Sequence, residues 1–384
     1  MRRARPALLF VIALALALPL GCSRRAPESA WLLHVAQFRL PYGQSRLLTY
    51  DYPLLTLTAE QTLGSVSARL AVTPDGKEIW TAGESSGDLH LLSAAGDSVL
   101  ARIPLGAAVS SIAFDPVSKR ALVTHGAVIA LGKSDSVATA LDVALRKPRF
   151  AFRVGNNPRT ACFDPTGKRA FVGNTGDSTL TVLDMAEGHT LQTLPVGPAP
   201  VHLAVDPLGR WLYIACLGTP VASGRAPGFV QVLALPGLEP VARFTAGKHP
   251  SRVTPLPDGA RVVVSEMRVA PSDRPLLRIF SVTAGGDGRP QFALRHELEA
   301  GANPLAGDMS PDGRLFAVPD FEECRLALVD LQKASVLRWL QLPGARGEHF
   351  AVDAVFTRAA SAATPRPAGE TAPAASDSAA PAGQ

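Results

Sequence analysis

Two series of residues interrupt an otherwise apolar or small pattern at regular intervals. The first holds Arg69, Ser111, Thr160, His202, Arg252 and Ala306, each five residues before a turn Pro, with His349 taking that place in a seventh, incomplete copy. The second holds Gly83, His125, Asn174, Cys216, Glu266 and Asp320, each nine residues after the same Pro. If both series gather at one place, Arg69, Arg252 and the histidines would hold an anion, while Glu266 and Asp320 would bind a cation or act as a base. The candidate ligand-binding residues are therefore Arg69, His125, Asn174, His202, Arg252, Glu266, Asp320 and His349. A plainer reading stands beside this one: residues at strand ends are polar because they meet solvent, and charged side chains seldom bury unpaired.

Narrower chemistry is poorly supplied. His202 and His349 are of ligand type, but no short His/Cys/Asp spacing accompanies them, so no metal site and no cofactor are expected. Cys216 near His202 would suit a nucleophile and its base, yet no third orienting residue is evident. The four cysteines, Cys22, Cys162, Cys216 and Cys324, form no C-x-x-C. A zinc ribbon, covalent c-type haem and a complete disulfide framework are thus not indicated, and Cys162 reads as a small buried apolar residue. No nucleophile elbow, P-loop or dinucleotide fingerprint lies in a suitable context.

The elements that must position the two series form a repeat. Gly64, Gly106, Gly155, Gly197, Gly247 and Gly301 each lie ten residues before Pro74, Pro116, Pro165, Pro207, Pro257 and Pro311. The prolines are 42, 49, 42, 50 and 54 residues apart, close to the period of a four-stranded propeller blade. Around each Pro the sequence reads as a tight hairpin; in Asp164-Pro165-Thr166-Gly167, Pro presets the first turn dihedral and Gly accepts the left-handed one. Before the Pro, large apolar residues alternate with small ones (Leu70/Val72 around Ala71, Leu203/Val205 around Ala204), as in a strand packed on both faces. Two more strands follow, as in "STLTVLDM" and "HTLQTLPVG". The last copy, "PGARGEHFAVDAVF" from Pro343 to Phe356, has Gly344 in the Gly position and lacks its remaining strands, while "WLLHVAQF", "SRLLTYDY" and "LLTLTAEQTLG" supply three at the other end. The expectation is an all-β, seven-bladed β-propeller of four-stranded antiparallel blades over 31–357, closed by N-terminal strands pairing with the C-terminal strand.

The stretch "FVGN…STLTVLDM…TLQTLPVGPAPVHLAVDPLGR" resembles the YVTN repeat of bacterial and archaeal exported propellers, its signature strand here being Phe171-Val172-Gly173-Asn174. The resemblance runs from Trp31 to Phe356 and implies a seven-bladed propeller. It implies little about activity, because such propellers include binding, scaffolding and surface proteins, with cousins among lactonases and haem-binding propellers. Three functions follow as expectations. The first is a module binding a ligand or protein at the channel mouth. The second is a lactonase-like hydrolase with Glu266 or Asp320 as base and Arg252 stabilising the oxyanion. The third is a haem-binding propeller with His202 or His349 as axial ligand. Two longer connections, Leu217 to Phe229 and Glu266 to Leu277, are expected to rise over the same face.

The N-terminal "MRRARPALLFVIALALALPLGC" reads as a signal peptide over 1–21, basic at Arg2, Arg3 and Arg5 and then apolar, ending in a lipobox-like Leu20-Gly21-Cys22. Lipidation at Cys22, a linker over 22–30 and anchorage to a membrane at the periplasm or cell surface are expected; Pro19 stands where a lipobox usually has Leu, so an ordinary cleaved signal peptide is the alternative, and export is expected in either case. Loss of the leader lowers the basic count from 38 to 35 against 33 acidic residues, which leaves no nucleic-acid footprint. The Ala/Pro/Ser-rich segment 358–384 is expected to be a disordered tail.

Overall fold

The computed structural model describes residues 31–41, 43–64, 67–117, 119–127, 135–219 and 226–359. Leader, linker and most of the tail lie outside the described residues, as do Cys22 and the middle of the first long connection.

Among the described residues twenty-eight strands form seven four-stranded antiparallel sheets. Six sheets are built from consecutive strands, and each blade corresponds to one complete repeat. The seventh joins the C-terminal strand β28 (His349–Arg358) to β1 (Trp31–Arg39), β2 (Gln44–Tyr52) and β3 (Leu57–Thr62) in the order β28-β1-β2-β3. Closure by N- and C-terminal strands is therefore as the repeat count requires, and it leaves no open gap in the ring. The strand runs one residue past the expected domain end, since Arg358 pairs with Trp31.

The hairpin turns form as their residues dictate. The N–H of Gly167 donates to the Asp164 carbonyl at 3.0 Å, with Gly167 at φ +67°. The large residue six after the turn Pro, Trp80, Phe171 or Tyr213, is buried between blades. Apolar clusters bridge neighbouring sheets: one joins Phe171, Leu180, Val182, Leu203 and Ile214, contributed by two successive blades. Such face-to-face burial is the main stabilising term of a propeller, because each blade covers the apolar face of the next. Outermost strands such as His189–Pro195 are largely exposed, and inner and middle strands are not.

The closing blade carries a buried polar tie. Nδ1 of His34 lies 2.9 Å from Thr49 Oγ1 and its Nε2 2.8 Å from Thr357 Oγ1, which joins three strands across the seam. The Thr357 hydroxyl also donates to the Ala94 carbonyl of the first blade at 2.8 Å. Burial pushes the His34 imidazole down to about 3, so the ring is neutral and each nitrogen has a hydroxyl partner.

Candidate functional site

A β-bulge near the start of the innermost strand sets the geometry of the channel. In five blades the register with the second strand slips by one residue, leaving positions 68, 159, 201, 251 and 352 unpaired. Bulges re-aim side chains. Here the bulged residues Arg159, Val201, Ser251 and Val352 line a central cavity together with Arg69 and Arg252, which directly follow a bulge. The cavity measures about 180 Å³, and Met267, Asn303, Leu305, Ala306 and Phe321 complete its wall. Below it a second chamber of about 90 Å³ shares Arg69, Arg159, Val201 and Arg252 and adds Thr160, His202 and Asp353.

Three guanidiniums from the first, third and fifth blades thus meet where the two chambers join. Their counter-charges are few. Arg252 Nη1 stands 3.8 Å from Asp353 Oδ1. Arg69 and Arg159 make no hydrogen bond or ion pair with any described residue; Asp353 and Glu84 act on Arg69, and Glu84 on Arg159, at longer range. The Nε atoms of Arg159 and Arg252 are buried without a hydrogen-bond partner. Burial, together with the neighbouring Arg69, pushes Arg159 down to about 10. Burial and the positive charges of Arg252 and Arg69 hold His202 well below the usual imidazole range, so that it sits neutral among the cations. Asp308 lies two residues beyond the position of Arg252 in the repeat, where other blades carry Ala71, Ala113, Cys162 or Ala204. Burial raises its carboxyl, and Arg252 opposes the rise.

Residues that directly follow the bulge also lock blades together. Leu203 N–H donates to Thr160 Oγ1 at 3.2 Å, Val253 N–H to His202 Nδ1 at 3.5 Å and Leu70 N–H to Asp353 Oδ2 at 3.0 Å. Asp353 is therefore the seventh member of the series, and the expectation for His349 is corrected. In the last copy the bulge falls at Val352, so the residue in the position of Arg69 and His202 is four further on than the spacing from Gly344 implies. His349 instead accepts the Ala345 N–H through Nδ1 at 3.1 Å and borders an outer groove with Arg39, Arg46 and Glu60.

The second series does not reach the cavity: His125, Asn174, Glu266 and Asp320 are buried, and none lines it. Each bonds locally. Asp320 accepts the Ala302 and Asn303 N–H groups at 2.9 and 3.0 Å, and Glu266 accepts Lys248 N–H at 2.5 Å, Leu276 N–H at 3.2 Å and Arg278 Nη1 at 2.6 Å. Asn174 donates to Thr179 and Thr181, and His125 bonds Thr139 and the Ala108 carbonyl. Asn174, Glu266 and Asp320 fill the space above the leading Gly of their own repeat, whereas the space above Gly106 is open. A Cβ on Gly247 would lie 2.4 Å from the Glu266 carboxyl carbon, and one on Gly301 2.7 Å from that of Asp320. Neither carboxylate is free to serve as a base beside Arg252, and the lactonase-like constellation expected from Glu266, Asp320 and Arg252 is not assembled. Cys216 packs on Gly197 and Phe229, and burial raises its thiol to about 12, away from a nucleophile's range.

Arg159 and Asp353 were not evident as site residues. The signal for Arg159 was an arginine one residue ahead of the first series, visible only once a bulge is assumed. In the second long connection Asp273 accepts the Ala270 N–H at 2.7 Å and pairs with Lys248, and Arg268 reaches Glu322 of the sixth blade at 2.7 Å. Among the described residues no group of three His, Cys, Asp or Glu could hold a metal, and no helix is long and apolar enough to cross a membrane.

No family model matches the chain, and no curated protein matches it. Solved structures do. A functionally unknown protein from Desulfotomaculum acetoxidans superposes with a TM-score of 0.67 at 14% identity, covering 85% of this chain and 99% of its own. A candidate 6-phosphogluconolactonase from Bacteroides uniformis gives 0.65 at 14% identity, covering 86% and 100%. Hydrazine synthase from Kuenenia stuttgartiensis gives 0.61 at 14% identity, covering 77% and 96%. At such identity the likeness concerns the fold, and the chain is a seven-bladed β-propeller.

Proposed function

We propose that the protein is an exported, lipid-anchored propeller that serves as a binding module and holds an anionic ligand in its central channel. The observation that carries this reading is the convergence of Arg69, Arg159 and Arg252 on one cavity, with Arg69 and Arg159 lacking any hydrogen-bonded or ion-paired described partner. These guanidiniums are half-buried and keep their protons at neutral pH, so their withdrawal from water leaves them in need of a counter-charge. Here the counter-charge is the ligand. The remaining walls of the chamber present no activated nucleophile, and Cys216 and Glu266 are held elsewhere, which favours binding over catalysis.

Isothermal titration of the full chain with small anions tests the reading. Saturable binding that weakens at least tenfold in Arg69→Leu or Arg159→Leu is expected, and absence of binding by every anion at low ionic strength would overturn it. Export and anchorage at Cys22 form a separate arm of the proposal, supported by the leader and Leu20-Gly21-Cys22. Membrane fractionation checks that arm: Cys22→Ser moves the protein from the membrane to the soluble fraction, and retention in the membrane would refute the anchor.

A further inference from the structure

The walls and charge of the cavity narrow the class of anion. The guanidiniums enter from the first, third and fifth blades, whereas Met267, Leu305, Phe321 and Val352 line the side formed by the fifth to seventh blades. The wall is polar at one end and apolar along one flank. Val201 closes the fourth-blade side, and Asn303 is the polar group at the apolar end. A fully hydrated inorganic anion would leave that flank facing water with nothing to cover it, which forfeits the gain from burying apolar surface.

Charge sets a second limit. Three guanidiniums face the carboxylates of Asp353, Glu84 and Asp308, and because burial favours the neutral form of Asp308 the cations are left with an excess of up to one positive charge. One negative charge on the ligand balances it; a dianion would overshoot and meet Asp353 as a like charge. Planar bidentate pairing further suits a carboxylate on a guanidinium. Size sets the third limit, since an apolar cavity of about 150 Å³ accepts a benzene-sized molecule. The 180 Å³ chamber therefore holds a body of similar dimensions, and the head group occupies the junction with the lower chamber.

We infer that the ligand is a small amphipathic monocarboxylate, its carboxylate seated among Arg69, Arg159 and Arg252 and its apolar body lying against Met267, Leu305 and Phe321. This inference rests on the proposed reading of the channel as an anion site and goes beyond it by fixing the ligand's class and orientation. Arg159 and Arg69 act as the primary carboxylate partners, because Arg252 already has Asp353 beside it. Phe321 forms the floor for the body at the sixth blade.

The test is a titration series on the full chain at pH 7 with acetate, butanoate, hexanoate, benzoate, hexanol and inorganic phosphate. From acetate to hexanoate, affinity is expected to rise roughly fourfold per methylene, the worth of burying one CH₂. Benzoate is expected to match hexanoate and hexanol to bind at least a hundredfold more weakly. Arg159→Leu removes the carboxylate dependence, and Phe321→Ala flattens the chain-length dependence while leaving acetate affinity within twofold. If phosphate or acetate binds as tightly as hexanoate and benzoate, the monocarboxylate class is wrong while the anion site stands. If hexanol binds as tightly as hexanoate, or no probe binds at all, the anion reading itself falls. Thermal melts of each variant distinguish lost binding from lost folding.

Discussion

Asp353 Oδ1 stands 3.8 Å from Nη1 of Arg252 and forms, among the described residues, the one ion pair made by any of the three channel arginines. The same carboxylate accepts the Leu70 N–H at 3.0 Å, which ties the last strand of the chain to the first complete blade. One residue thus serves both ring closure and the electrostatics of the channel. Asp353→Ala should cost about 3 kcal/mol, the range for leaving a buried cation and a buried N–H without a partner. Chemical denaturation checks this, and an unchanged midpoint would contradict it.

Arg159 is expected to behave in the opposite way. Its guanidinium is desolvated with no ion pair among the described residues, so Arg159→Leu should stabilise the unliganded protein by about 1 kcal/mol or more. The same change should abolish the thermal stabilisation that added carboxylate gives the native protein. A paired set of melts with and without benzoate reads both effects. Loss of stability in the unliganded variant would show that Arg159 has a structural partner.

Acid should open the ring at its seam. The neutral form of His34 is favoured in the fold, its affinity for a proton being lowered by burial to about 3 from the ordinary 6.5. Between those values the unfolded chain binds more protons than the folded one, so stability is present above about pH 6.5 and falls as pH drops towards 3. Thermal midpoints from pH 7 to pH 4 should decline, and His34→Gln should reduce the slope. An equal slope in the variant would assign the acid sensitivity to other groups.

Asp308 should make anion binding depend on pH. Burial raises its carboxyl above the usual range, so the folded protein takes up a proton there that the unfolded chain has lost. Its contribution to stability is accordingly present at low pH and is lost as pH rises through the raised value. A protonated Asp308 adds no negative charge below Arg252, so carboxylate affinity should strengthen as pH falls from 8 to 5. Asp308→Asn should bind more tightly at pH 8 and lose that dependence in titration calorimetry; an unaltered profile would remove Asp308 from the channel's electrostatics.

The leading glycines of the repeat answer to the second series. Gly301 has φ +131° and would place a Cβ 2.7 Å from the Asp320 carboxyl carbon, so Gly301→Ala should destabilise by about 2 kcal/mol or more. Asp320→Ala should cost a similar amount by orphaning two buried N–H groups. Urea midpoints test both, and tolerance of either change would mean that the second series has no structural duty.

The repeat was legible because a fixed Gly-to-Pro offset and the turn residues are local properties. Strand number, blade number and the mixed closing blade follow from counting copies. The site was only half legible. Arg69, His202 and Arg252 are legible because each stands five residues before a turn Pro, whereas a bulge leaves no mark in the period-two pattern that would place Arg159 on the same wall. His349 was placed by the spacing from Gly344, but the segment before the last strand is longer than in other copies, and Asp353 takes its place. Glu266 and Asp320 looked like chemistry since polar residues at strand ends face a propeller's mouth. Their oxygens instead bind backbone N–H groups over the glycines, and a charge pattern alone does not separate those two uses.

The channel arginines are proposed as the seat of a bound anion. Crystals of the protein grown in bromide, with data collected at the bromine absorption edge, test this most directly. An anomalous peak within contact distance of Arg69, Arg159 and Arg252 is the predicted result. A map with bromide at surface sites and none in the channel would rule out the channel as an anion site.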